Sequence, residues 1–151
     1  MYATGTGEGS IRLWDTNTHF CVAVFNEHQA AISGLKFSNA NTLFSCSLDG
    51  TLNAYDILKQ KKFRVFHPDV RCQLVCLETD PNGEVVFGGA FDPYDVYSWN
   101  VQTGHLLQVI SGHEGPLSCL AFSNNNLITG SWDHTVKIHA IFSRKLNVEN
   151  L

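Results

Sequence analysis

The sequence predicts an all-β chain built from a repeated four-stranded unit, and three observations carry that expectation. Runs of four to seven β-branched, aromatic and aliphatic residues alternate with turn clusters such as Asp49-Gly50, Pro81-Asn82-Gly83 and Asn124-Asn125-Asn126, the pattern of short strands. No window keeps apolar residues at i, i+3, i+4 and i+7 over the roughly 11 residues a helix needs. One short segment recurs four times: Ile11-Arg12-Leu13-Trp14-Asp15, Leu52-Asn53-Ala54-Tyr55-Asp56, Val96-Tyr97-Ser98-Trp99-Asn100 and Val136-Lys137-Ile138-His139-Ala140. The fourth residues fall at 14, 55, 99 and 139, so the spacings are 41, 44 and 40. Four strands in a period of about 40 residues make one blade of a β-propeller, and 151 residues hold roughly three and a half such blades.

In chain order the blade segments are expected at roughly 1–26, 27–66, 67–111 and 112–142, with a C-terminal tail at 143–151. The first contains Gly5-Thr6-Gly7-Glu8-Gly9-Ser10. A dinucleotide fingerprint needs Gly-x-Gly-x-x-Gly opening a helix, and a phosphate loop needs Gly-Lys-Ser/Thr. Neither is met, so the segment reads as a tight hairpin turn. The second segment starts at Glu27-His28, passes Phe37-Ser38 and reaches Ser45-Cys46-Ser47-Leu48-Asp49-Gly50-Thr51. The fourth repeats that order with Gly112-His113, Phe122-Ser123 and Thr129-Gly130-Ser131-Trp132-Asp133-His134-Thr135. The mutual spacing is kept: His28 to Asp49 is 21 residues and His113 to Asp133 is 20. The third segment departs, with His67-Pro68 loosely in the Gly-His place and Asp92 seven residues before Trp99 instead of six.

These anchors resemble the WD40, or WD-repeat, family over almost the whole chain. The resemblance implies a hydrogen-bonded set in each blade: a histidine, a hydroxyl of the second strand, the turn aspartate and the aromatic of the third strand. Carried onto this chain, the sets are His28, Ser45, Asp49 and Tyr55, and then His113, Thr129, Asp133 and His139. A buried carboxylate needs donors, and imidazole plus hydroxyl supply them. In the first blade Glu8 takes the aspartate position, six residues before Trp14. His139 in place of tryptophan weakens the last set, because an imidazole buries less area and itself titrates. The blade holding His28 and Asp49 is expected to be the best tied.

Composition narrows the function classes. The chain has 10 Lys+Arg and 14 Asp+Glu, a formal charge of −4, so it is not a generic nucleic-acid binder. Charged residues are 16% and hydrophobic ones 44%, a globular balance. No apolar run approaches the roughly 20 residues that cross a bilayer, so no membrane partner is expected, and the first residues lack the marks of a signal peptide. Cys21, Cys46, Cys72, Cys76 and Cys119 are odd in number and scattered in apolar runs, which suits reduced, buried thiols rather than a disulfide framework. Cys72 and Cys76 are expected in one strand, on one face. No Cys-x2-Cys with a histidine pair is present, so neither a metal nor another cofactor is expected. Every Ser, His and Asp of a notional triad already has a structural place, and no Gly-x-Ser-x-Gly elbow exists, so the chain is not expected to be an enzyme.

Two surfaces are candidates for partners. Leu48, Phe91 and Trp132 each precede an aspartate turn, where an exposed aromatic can anchor an interface or simply pack into the core. Lys59, Lys61, Lys62 and Arg64 form a basic cluster around Phe63, either a solvated outer loop or a contact for RNA phosphates. Several segments resemble a nucleolar branch of the WD-repeat family found in the small-subunit processome. That resemblance implies a non-catalytic scaffold in pre-ribosomal RNA processing and ribosome biogenesis, located in the nucleus and nucleolus. Its implied partners are other proteins of the particle and pre-ribosomal or small nucleolar RNA. The alternative is a peptide-binding propeller such as a substrate adaptor or trafficking-coat subunit. WD-repeat rings usually close with seven or eight blades, so the sequence is expected to be a fragment, or half of a ring completed by further blades or a second chain.

Overall fold

The computed structural model describes residues 1–38 and 41–141. They form fourteen strands in four antiparallel sheets, with no helix among the described residues. The first sheet holds β1 (Tyr2–Gly5), β2 (Ile11–Trp14) and β3 (Cys21–Phe25) in that order. The second holds β4 (Ile32–Ser38), β5 (Thr42–Ser47), β6 (Leu52–Asp56) and β7 (Lys61–Phe66). The third repeats this with β8 (Leu74–Thr79), β9 (Val85–Ala90), β10 (Val96–Asn100) and β11 (Leu106–Ile110). The fourth comprises β12 (Leu117–Ser123), β13 (Asn126–Ser131) and β14 (Val136–Ala140). Each sheet is a blade with strands in chain order, so every connection inside it is a hairpin. Contacts between blades run from β1 to β4, from β4 and β5 to β8, and from β8 and β9 to β12. The result is a partial β-propeller whose sheets follow one another without closing into a ring among the described residues. The tail at 143–151 lies outside the described residues.

Alternation along the central strands sends neighbouring side chains into different cores. Leu43 joins Ile11, Leu13 and Tyr55 between the first two blades, and the next residue, Phe44, joins Phe66, Val86 and Trp99 between the second and third. Val86 faces that second core while Phe87 faces a third, with Ile110, Leu117 and Leu127. This is why β5, β6, β9 and β10 are buried on both faces, whereas β7 alternates and β11 is mostly exposed. A fully buried large side chain of this kind contributes about 1.5–3 kcal/mol.

The repeated segment also closes its own turn. Asp15 Oδ1 accepts from the N–H groups of Asn17 and Thr18 at 2.6 and 3.0 Å. Asp56 does the same for Lys59 N–H and Asn100 for Thr103 N–H, at 3.0 and 2.9 Å. Four residues after each acceptor the chain turns left-handed, at His19, Gln60 and Gly104. Such side-chain-capped turns are what favour Asp and Asn there.

A second repeated device lies on the first two strands of each later blade. Gly34 pairs with Cys46, Cys76 with Gly89, and Cys119 with Gly130. A Cβ on the glycine would meet the facing sulfur at 3.0, 2.6 and 2.7 Å respectively. Each blade therefore holds one thiol and one vacant Cβ position, with the thiol on the second strand in one blade and on the first in two. Burial pushes the Cys46 and Cys76 thiols up to about 12. Two expectations about cysteine are corrected. Cys21 and Cys119 are exposed, since one starts an outer strand and the other lies on a face that no described sheet covers. Cys72 falls in the loop before β8, so it does not share a strand with Cys76.

Gly89→Ala should lower stability by about 1–3 kcal/mol through overpacking. Adding Cys76→Ala should recover part of that loss in urea unfolding, giving a double-mutant cycle with a clear coupling energy.

Candidate functional site

The turn between the second and third strands of the second blade places Asp49 against the incoming loop. Asp49 accepts from Gln29 N–H and His28 Nδ1–H on one oxygen, at 2.9 and 3.0 Å. Thr51 donates its N–H and hydroxyl to the other oxygen, at 2.8 and 2.7 Å. With Nδ1 donating, His28 Nε2 accepts from the Ser45 hydroxyl at 2.7 Å and from Asn53 Nδ2 at 3.2 Å. Asn53 Nδ2 also donates to Tyr55 Oη at 3.2 Å. His28 and Ser45 are buried, and Gly50 takes the left-handed conformation that the tight turn needs, with φ +85. The structure thus brings His28, Ser45, Asp49 and Tyr55 into one network. Asn53 and Thr51 are further members that the resemblance did not imply. Burial works against the Asp49 charge, but the N–H groups of Gln29 and Thr51 and the Thr51 hydroxyl outweigh it and hold the carboxyl below its usual range. Burial also pushes the Tyr55 phenol up to about 12.

The fourth blade repeats the arrangement nearer to solvent. His113 Nδ1 donates to Asp133 at 2.8 Å and His113 Nε2 accepts from the Thr129 hydroxyl at 2.7 Å. His139 Nε2 donates to the same hydroxyl oxygen at 3.2 Å. Glu114 N–H and both donors of Thr135 complete the ring around Asp133. The Thr135 hydroxyl leads in holding the Asp133 carboxyl well below its usual range. Burial, then the neighbouring His113 and Lys137, lowers the His139 imidazole. The first blade keeps less: Trp14 Nε1 donates to Thr4 Oγ1 at 2.9 Å, while Glu8 is exposed and joins no network among the described residues.

The candidate partner residues separate. Leu48 and Phe91 line one open groove of about 720 Å³ shared by the second and third blades, with Glu27, Asn53, Lys62 and Arg71. Trp132 is not part of that groove and stands 68% exposed on the fourth blade. The basic cluster is divided as well. Lys59 pairs with Asp56 at 3.6 Å. Arg64 donates to the Gln102 carbonyl, bridging the second and third blades. Lys61 and Lys62 are consecutive on β7 and so point to opposite faces. No group of three or more His, Cys, Asp or Glu that could hold a metal ion lies among the described residues.

Strand order, period and histidine networks together define a WD-repeat protein. The WD domain, G-beta repeat family matches residues 19–56 and 104–139. The chain is similar to Periodic tryptophan protein 2 of Saccharomyces cerevisiae, 45% identical over 149 residues, which is 97% of this chain and 16% of that protein. It is also similar to the Periodic tryptophan protein 2 homolog of Dictyostelium discoideum, 37% identical over 145 residues, 93% of this chain and 16% of that protein. A more distant likeness, 27% over 154 residues, is to the guanine nucleotide-binding protein subunit beta of Oryza sativa subsp. indica, covering 93% of this chain and 40% of that protein. The chain thus spans about a sixth of the length of the first two relatives.

Folding holds the Asp49 and Asp133 carboxyls below their ordinary value of about 3.9, so their contribution is full above that value and is lost as the pH falls below it. Urea unfolding midpoints should drop as the pH goes from about 4 to 2, and Asp49→Asn with Asp133→Asn should flatten that limb. At neutral pH His28→Ala should cost about 1–3 kcal/mol, because it strips one donor from a part-buried carboxylate and the acceptor from the buried Ser45 hydroxyl.

Proposed function

We propose that the chain is a non-catalytic scaffold of a ribosome-assembly particle of the small-subunit processome type, acting in pre-ribosomal RNA processing in the nucleolus. The observation that carries this reading is the likeness to Periodic tryptophan protein 2 over 97% of the chain, against a weaker likeness to a G-protein β subunit. The geometry supports a scaffold. His28 and Asp49, like His113 and Asp133, are spent on each other, which holds turns in place. Exposed Phe91 and Trp132 offer aromatic anchors of the kind that dominate protein interfaces. Particle proteins are the partners proposed for Leu48, Phe91 and Trp132.

Direct contact with pre-ribosomal or small nucleolar RNA falls to Lys61 and Lys62, since Lys59 and Arg64 are engaged within the chain. The outward faces of the end blades, with Val136 and Ile138 each 70% exposed and Val24 50% exposed, suit cover by further blades or by a second chain, as the length of the relatives suggests.

The protein, tagged in its own cells, should stain the nucleolus and co-purify with precursor small-subunit RNA. Phe91→Ala with Trp132→Ala should strip particle proteins from it while its folding is kept. Exclusion from the nucleolus with no bound precursor RNA, or recovery of unrelated peptide ligands through Phe91 and Trp132, would overturn the assignment in favour of an adaptor-type propeller.

A further inference from the structure

The third blade lacks the histidine network that its neighbours keep, and strand register fixes the equivalences. Phe25, Phe66 and Ile110 occupy the same rung of their blades, opposite Ile11, Leu52 and Val96. Three residues beyond them come His28, Asp69 and His113. Ser45 pairs with Asn53 and Gly88 pairs with Tyr97, so Gly88 stands where the network needs its hydroxyl. The threonine that clamps the turn carboxylate directly precedes the third strand, as Thr51 or Thr135, and the third blade has Asp95 there. An imidazole and two hydroxyls are gone, and two carboxylates have taken their places.

Trp99 and Leu74 fill the space at Gly88, and beside the two carboxylates lies a hollow of about 220 Å³, with Asp69, Asp95, Tyr97, Val70, Leu106 and Val109 in its lining. No cation lines it, and Arg71, two residues after Asp69, lines the adjoining clefts instead. Neither carboxylate makes an ion pair among the described residues. Tyr97 is only 4% exposed, and its hydroxyl has no hydrogen-bond partner among the described residues. Burial, then Cys72, Asp95 and Asp69, pushes that phenol up to about 12, so it stays neutral and its oxygen can accept.

We propose that this hollow receives one lysine or arginine side chain of a protein partner. The aliphatic stem lies against Val70, Leu106 and Val109, and the charged head meets Asp69, Asp95 and the Tyr97 hydroxyl. The volume lies below the roughly 300–1,000 Å³ of small-molecule sites and suits a single side chain. Long basic side chains pair an apolar stem with a donor-rich head, which matches an apolar wall beside two acids. Phosphate is repelled by the same two acids, so RNA is not the occupant. In the flanking blades the donor to the carboxylate is the chain's own histidine, and here it comes from outside. The proposal concerns the chemistry of one hollow, so its failure leaves the choice of particle untouched.

The test is a titration of the whole chain, methyl-labelled, with acetyl-Gly-Arg-Gly-amide and acetyl-Gly-Lys-Gly-amide, against acetyl-Gly-norleucine-Gly-amide. Saturable shifts of the Val70, Leu106 and Val109 methyl signals are expected with either basic peptide, and not with norleucine. Asp69→Asn with Asp95→Asn should weaken binding by about tenfold or more, as loss of charge-assisted bonds does. Leu106→Trp, which fills the hollow and leaves both acids, should abolish the shifts. Both variants must show native amide spectra elsewhere. Absence of saturable shifts with both basic peptides, an equal response to norleucine, or unchanged affinity in the Asp-to-Asn variant would overturn the proposal.

Discussion

Burial of both faces of the central strands of the second and third blades, β5, β6, β9 and β10, is the constraint from which the rest of this structure follows. A strand such as β9, buried at all six positions, cannot exist in an isolated sheet, because one of its faces would lie against water. Each blade is therefore stable only between neighbours, and the repeat length is set by the chain needed to cross a blade and return. The same constraint decides where polar atoms can sit. Ser45, Asn53 and Thr129 lie in central strands at 2% exposure or less, and each hydrogen bonds to the histidine of its blade. The histidine network is thus the condition on which polar side chains enter an otherwise apolar stack.

Across the four blades that network is graded while the backbone is not. The second blade has it complete and buried, the fourth has it nearer to solvent with His139 as its last member, and the first retains the bond from Trp14 to Thr4. The third has none of it, yet its strands pair in the same order and register. The tilted contact of Phe66 with Trp99, with ring centroids 5.9 Å apart, and the apolar core around them hold that blade without a buried carboxylate–imidazole pair. Sequence can therefore vary at the network position without loss of the blade, and such a position is open to being used for something else.

Much of this was legible in the sequence because a propeller writes its geometry as a period. The recurring third-strand segment located four blades, and the family resemblance implied the contact of His28 with Asp49, made at 3.0 Å. Thr51 and Thr135 escaped notice although each stands two residues after its aspartate, a signal that was present but repeated only twice. Asn53 is not marked by the repeat, because Tyr97 and Lys137 hold its place in the next two blades. The basic cluster is divided for a physical reason: proximity in sequence says nothing about which cations the fold employs, and Arg64 is drawn to a carbonyl in another blade. The hollow of the third blade was visible only as a missing histidine. What replaced it depends on the loop at Asp69 and the lengthened turn at Asp92, whose paths no repeat dictates.

The facing thiols and glycines bear on how such blades can diversify. Because Cys46 sits on the second strand of its blade and Cys76 and Cys119 on the first strands of theirs, the blades are alike in backbone but mirror-assigned in volume. Exchange of a single strand between the second and third blades would set two sulfurs in a space built for one, or leave two glycines facing across a void. Whole hairpins can be traded between such blades, and single strands cannot. Recombination that keeps first and second strands together is the route by which this architecture can duplicate a blade and still pack it.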